Sequence, residues 1–481
     1  MLMAALAAPL ARAALVALCA RIAWLRDSMN ILGAAAQTIA AGGLVSALIA
    51  GAPARLDLAQ PMPGIGISFV TEPVGVVIAA ALALMGALNA IHAVFFQRLQ
   101  GAQASARLFA FSALAAAMTA GVAYSANLFT LFICYQGLIL ASAPLIAHGG
   151  DAAARRATRV HITTLLGCSI GLLLPAIVWT YALSGDVEFR VGGILPADIS
   201  PIIASALLAL NVFGFAAAAL PPFHRWLALS AATPHAAFIV VAVLTVAPAG
   251  VLGVLRTTLY VFGDAMAQAR VAAVIILAIA GGAMCLAALN ALGKSDLRER
   301  LAYGVISQNG AGLAAIMAAA APGYFSAILQ TIAQSFAATT LAMAFATVAA
   351  ATGRTAAQDM AGVGRAMPWV FAAMTVAALS FIGLPPLVGA WPRLWVVTAL
   401  AEENLRWAGA LIAIGSIATF AYLAPLVARG LVGEAPSDPF VRPDGVDARL
   451  IAPLVVCALA TASLLFVVDP LARLLAPSWG G

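Results

Sequence analysis

An all-α polytopic membrane protein of about fourteen transmembrane helices is the fold class this sequence predicts. Three observations predict it. The 481 residues are 64% hydrophobic and only 9% charged, too few charges to coat a soluble surface, since an ordinary soluble domain carries roughly a quarter. Apolar stretches of about 20 residues, the length that crosses a bilayer as a helix, recur along the chain. Two of them are broken by proline in matching places.

In order, the stretches run near 3–23, 31–51, 67–96, 107–124, 127–147, 160–183, 201–220, 236–262, 270–292, 301–320, 324–350, 367–388, 391–428 and 450–472. Glu402, Glu403, Asn404 and Arg406 interrupt 391–428, which therefore reads as the tail of the preceding helix followed by a new helix from about 407. Basic residues sort by loop. The loops after odd-numbered helices hold Arg21, Arg26, Arg98, Arg107, Arg155, Arg156, Arg159, Arg225, Lys294, Arg298, Arg300, Arg354, Arg365, Arg429, Arg442 and Arg449; the even ones hold Arg55, Arg190, Arg270 and Arg406. By the positive-inside rule the odd loops face the cytoplasm of a bacterial inner membrane, with both termini on the other side. The net charge of +6 thus reports topology and not a nucleic-acid partner. The N-terminus, apolar apart from Arg12, reads as a retained first helix.

Cys19, Cys134, Cys168, Cys285 and Cys457 fall in apolar stretches without paired spacing and read as packing residues. The sequence has no CxxC, no GxGxxG after a strand, no GxxxxGK[ST] and no HExxH. No cofactor, no metal and no catalytic residue is therefore expected, and any redox chemistry belongs to other subunits.

Leu220-Pro221-Pro222 and Leu384-Pro385-Pro386 are the two Leu-Pro-Pro triplets, 164 residues apart, each at the end of an apolar stretch. Proline removes a backbone hydrogen bond and clashes with the preceding turn, so each triplet is expected to interrupt its helix. In a membrane such a break survives where the loosened backbone is buried in protein or lines a wet cavity. Paired breaks in two halves of a chain point to a transport pathway.

The flanking residues carry a resemblance. Pro222, His224, Trp226 and Leu227 match a PxHxWL element, with Gly253 and Arg256 following at the matching interval. Lys294 to Tyr303 with Ile306 to Gly310 resembles DLK…AYxSxSQxG, and Gly383 to Gly389 resembles GLPPLxGF. Together they resemble the antiporter-like membrane subunits of respiratory complex I, multisubunit sodium/proton antiporters and membrane-bound hydrogenases, over most of residues 65–430. The resemblance implies two inverted five-helix repeats, at 107–262 and 270–428, each with a discontinuous helix. Three helices in 1–106 precede them and one in 450–481 follows. It also implies other membrane subunits as partners, and protons or sodium as the ions moved.

The family's relay of titratable residues is mostly missing. The expected acid falls on Gln136, the lysine before the motif histidine on Ala217, the next helix's lysine on Pro248 and a later histidine on Gln334. Arg393 stands where the family has lysine or glutamate. Glutamine cannot ionise, alanine offers nothing and arginine keeps its proton. Pro248 should also bend its helix.

The remaining polar residues carry expectations of their own. His224 reads as a cap on the broken backbone, with a titrating entry or exit group as the alternative. Arg393 reads as buried, neutralising a carbonyl end or a neighbouring subunit's acid, with snorkelling as the alternative. Arg256 reads as an interfacial anchor, with a buried ion pair as the alternative, and His161 and His235 read as interfacial. Ser307, Gln308 and Gln334 either hydrate a residual pore or hold helices together. Three functions stay open: an ion-translocating subunit of a complex I-like or antiporter-like assembly, a structural member of it with its relay lost, or a module coupling ions to uptake of a solute such as inorganic carbon with a soluble partner.

Overall fold

The computed structural model describes residues 1–62, 65–101, 105–433 and 447–479; Arg442, counted above among the cytoplasmic charges, lies outside them. The chain opens with α1 (Leu2–Leu18), α2 (Ala23–Ile49) and a hairpin of β1 (Arg55–Met62) and β2 (Ile65–Val70). Next come α3 (Pro73–Leu99), α4 (Ser105–Tyr124), α5 (Leu128–Ile146), α6 (Ala152–Cys168), α7 (Leu174–Ser184), α8 (Pro201–Gly214), α9 (Arg225–Ser230), α10 (His235–Phe238) and α11 (Val246–Thr257). The second half holds α12 (Arg270–Leu292), α13 (Leu297–Met317), α14 (Ala321–Thr352), α15 (Val363–Ala366), α16 (Pro368–Ile382), α17 (Ala390–Glu402), α18 (Arg406–Val432), α19 (Ala448–Ser463) and α20 (Val468–Leu475).

Ten helical segments are long and apolar enough to cross a membrane, and α1, α8 and α16 are shorter apolar helices. The 21-residue α13 makes the fourteenth crossing among the described residues; Arg298, Glu299 and Arg300 in its first turn and Ser307, Gln308 and Asn309 in its middle dilute its hydropathy. The division of 391–428 is as expected, with α17 ending at Glu402 and α18 starting at Arg406. Scarce acids and amides serve as helix starts. Glu72 accepts from the backbone N–H groups of Val74 and Gly75, Asn127 from Thr130, Asp151 from Ala154 and Asp296 from Arg298 and Glu299.

The apolar stretch at 67–96 is not one helix. Its first residues form β2, antiparallel to β1 with Arg55 opposite Val70, and the helix begins only at Pro73. Pro73 supplies the first helical position, where its missing N–H costs nothing. The hairpin is fastened to the bundle by Asn127 Nδ2, which donates to Gly66 O and Ser68 Oγ at 2.9 Å each, and by an Arg55–Glu188 ion pair at 3.1 Å.

Two crossings carry a π-turn directly ahead of a proline: Ser169–Leu173 before Pro175 in α7, and Ile239–Thr245 before Pro248 in α11. The extra residue in each turn gives room for the pyrrolidine ring and absorbs the missing hydrogen bond. Pro248 thus interrupts the regular helical ladder where a bend was expected.

Both Leu-Pro-Pro triplets break their crossings. In each, the Pro-Pro bond is cis and the residue just before the leucine is left-handed, Ala219 at φ +58° and Gly383 at φ +86°. The breaks fall in the seventh and twelfth crossings, five apart. An odd number of crossings reverses direction, so the two five-helix units are inverted relative to each other.

Candidate functional site

The first break leaves buried backbone at Ala216 to Ala219, and every exposed polar group there finds a side chain. Ala216 O accepts from Trp226 Nε1 at 3.0 Å, Ala217 N donates to Tyr135 Oη at 3.0 Å, and Ala218 O accepts from Asn309 Nδ2 at 3.0 Å. In a water-poor bundle each unmet group would cost several kcal/mol, roughly, so these three contacts make the break tenable. Helix α11 presses against it through glycine: a Cβ on Gly250 would collide with the backbone of Ala217 and Ala218, and one on Gly253 would sit 2.5 Å from Phe215 Cε1. Pro221 and Pro222 lie beyond, partly and fully exposed, as residues with no N–H to satisfy can.

His224 does not cap this backbone. Its ring is half-buried, its Nδ1 has no hydrogen-bond partner, and Trp226 two residues on does the capping instead. His161 is buried and not interfacial; its Nε2 lies 2.8 Å from Ser142 Oγ and its ring meets the Trp226 ring edge-on at 5.3 Å, which steadies the indole. His235 packs 5.9 Å from Phe96, partly buried.

At the second break, Arg393 on α17 is 7% exposed and turns inward. Its Nη2 donates to Phe381 O at 2.7 Å and to Gln308 Oε1 at 2.9 Å. Phe381 stands at the C-terminal, electronegative end of α16, so the guanidinium neutralises a carbonyl end, one of the two roles expected for it. A Cβ on Gly383 would strike the guanidinium, so glycine is required for the approach as well as for the positive φ. Gln308 Oε1 also accepts from Gln330 Nε2 at 2.8 Å, while Arg393 Nε and Nη1 and Gln308 Nε2 remain without partners. Among the described residues no carboxylate pairs with Arg393. Next to this cluster Gln334 Nε2 donates to Asn309 Oδ1 at 2.8 Å, and Ser307 Oγ fastens α13 to Met284 O at 2.8 Å. Pro385 and Pro386 are exposed.

The structure therefore gathers Gln308, Gln334 and Arg393 into one polar core, with Gln330 and Asn309 as members the sequence reading missed. Gln136 stands apart, in a reciprocal bond with Ser169 Oγ at 2.9 and 3.0 Å. At the five relay positions the chain offers an amide on a hydroxyl, a buried methyl, a pyrrolidine ring, an amide on an amide and a clamped guanidinium. None of these exchanges a proton near neutral pH.

Arg256 is not an interfacial anchor. It is 0% exposed, lies 3.1 Å from Glu72 Oε1, donates to Val122 O, Ser125 Oγ and Ser125 O at 2.6–2.8 Å, and stacks 4.6 Å from the Phe189 ring centre. Glu72, which also caps α3 and accepts from Tyr260 Oη at 2.7 Å, supplies the counter-charge that draws the arginine inside.

Residues 125–420 match the family described as NADH:quinone oxidoreductase/Mrp antiporter, TM. The chain is 25% identical over 452 residues to NADH-quinone oxidoreductase subunit N of Desulforudis audaxviator, covering 90% of this chain and 89% of that one. It is 26% identical over 317 residues to a Na(+)/H(+) antiporter membrane protein of Alkalihalophilus pseudofirmus, covering 63% of this chain and 61% of that one. Its fold superposes on a chain of the Mrp complex from Dietzia sp. with a TM-score of 0.83 at 20% identity, covering 100% of this chain and 97% of that one. A chain of respiratory complex I from Thermus thermophilus gives 0.82 at 18% identity, covering 100% of both.

Proposed function

This chain belongs to the NADH:quinone oxidoreductase/Mrp antiporter transmembrane family, and from that membership we propose that it is a membrane subunit of a multisubunit assembly that moves protons or sodium, retaining the pump's shape while its own relay carries no ion. The observation that supports the loss is the filling of the relay positions by groups already committed to structural bonds: Gln136 to Ser169, Gln334 to Asn309 and Arg393 to Phe381 and Gln308. Ala217 and Pro248 add no ionisable atom. In this reading units 107–262 and 270–428 form the antiporter-like body, the helices of 1–106 and 450–481 flank it, and both termini face away from the cytoplasm. Neighbouring membrane subunits supply the conducting path.

Reconstituting the purified assembly in vesicles tests this. Gln136→Leu and Gln334→Leu should leave proton flux per assembled complex unchanged, because neither amide carries a proton. Restoring Gln136→Glu with Ala217→Lys should alter it. A flux lost on Gln136→Leu in a complex that still assembles would overturn the reading.

A further inference from the structure

Away from both breaks, a cavity of about 50 Å³ lies between α1, α2, α3, α4 and the α10–α11 crossing, lined by Arg12, Asn30, Gln37, Asn89, Tyr124 and Thr245 among others. Arg12 is 6% exposed and its Nε and Nη2 both donate to Asn30 Oδ1, at 3.1 and 2.8 Å. Asn30 is neutral. Among the described residues no carboxylate pairs with Arg12; the one acid of α2, Asp27, is held by Arg26 and Arg98 at 2.7 Å each.

The inward path of this arginine is built into the neighbouring helix. An arginine on a short helix can ordinarily run its stem to the interface. Here the stem crosses α2 at Gly33, where a Cβ would lie 2.6 Å from Arg12 Cβ and 2.8 Å from its Cγ. The far wall adds polar groups that lack protein partners. Asn89 Oδ1 is buried and unbonded, and Gln37 and Tyr124, both buried, make no side-chain hydrogen bond to another described residue. A cavity of this size holds about three or four waters, or one small ion. Water alone would meet the hydrogen bonds and leave the charge unbalanced, which is costly deep in a membrane.

We propose that this cavity binds a small monovalent inorganic anion, a halide or a compact oxyanion, with Arg12 as its counter-charge and Gln37, Asn89 and Tyr124 as neutral donors. The Asn89 amide turns its nitrogen toward the anion, an orientation that its unbonded oxygen leaves free. The anion neutralises the guanidinium without competing with Asn30, which holds the opposite edge of the fork.

The test uses the full chain in its purified assembly, transferred into gluconate, an anion too large for the cavity. Bromide and, separately, nitrate are then titrated at constant ionic strength while the thermal unfolding midpoint is read. The midpoint should rise by about 2 °C or more and saturate; a response to both anions marks an oxyanion-tolerant site and a response to bromide alone a halide site. Arg12→Leu should abolish the response. Asn89→Leu, which keeps the charge and removes one donor, should raise the half-saturating concentration about tenfold, and this arm decides the matter if Arg12→Leu fails to fold. No saturable response to either anion, or an Asn89→Leu response identical to that of the unaltered chain, would overturn the proposal.

Discussion

Gln308 Oε1 accepts a hydrogen bond from Arg393 Nη2 at 2.9 Å, and through that contact the helix following the second break is tied to α13. The same nitrogen reaches Phe381 O, so one side chain spans the broken ends of the twelfth crossing and its neighbour.

Arg393→Ala should therefore strip a bond from both Phe381 O and Gln308 Oε1 in a buried setting, at a cost of about 3 kcal/mol. A lowered thermal midpoint and poorer recovery of the assembly are the expected readings. Arg393→Lys should recover only part, since an ammonium lacks the planar fork that reaches both oxygens.

Glu72→Gln should be more damaging. The amide can still cap α3, but Arg256 would be left as a buried charge without its carboxylate, a loss of about 3–5 kcal/mol. Comparing the thermal midpoints of Glu72→Gln and of the double variant Glu72→Gln/Arg256→Met separates the lost pair from the stranded charge: the double variant should be the more stable of the two.

Gly250→Ala should push α11 away from the first break, because the added methyl meets backbone atoms of Ala217 and Ala218 that cannot swing aside. A cost of about 2 kcal/mol or more follows from overpacking. Limited proteolysis and thermal unfolding should both show a looser protein, while Gly42→Ala, where a Cβ meets nothing, should be silent.

Ala217→Lys alone should destabilise the protein by about 3 kcal/mol or more, since Ala217 is fully buried and a new charge there has no partner. Adding Gln136→Glu should return about 1–3 kcal/mol if the two side chains reach each other. A double-mutant cycle on thermal unfolding, run beside the vesicle flux assay, measures that coupling.

The crossings, both breaks, the split between α17 and α18 and the inward turn of Arg393 were legible in the sequence, because apolar length and Pro-Pro are local signals. Arg256 was not, because its burial depends on Glu72, 184 residues earlier in the chain. His161 was misplaced for the same reason: its partner Trp226 arrives from another crossing. The hairpin hid inside an apolar run whose strand and helix portions share composition, and only Pro73 marked the change. Asn309 stood in the Ser-Gln-Asn-Gly stretch unnoticed, since nothing local says that an amide on α13 will meet a carbonyl on the seventh crossing.

That amide has a mechanical consequence. Asn309 belongs to the second unit, yet it holds Ala218 O in the break of the first, and Gln334 holds Asn309 from behind. The two halves are cross-braced at their weakest points, so the chain behaves as a strut. A displacement delivered to one end by an adjoining subunit reaches the other as motion of a solid body, and the protein can transmit a push along its row without transmitting a proton.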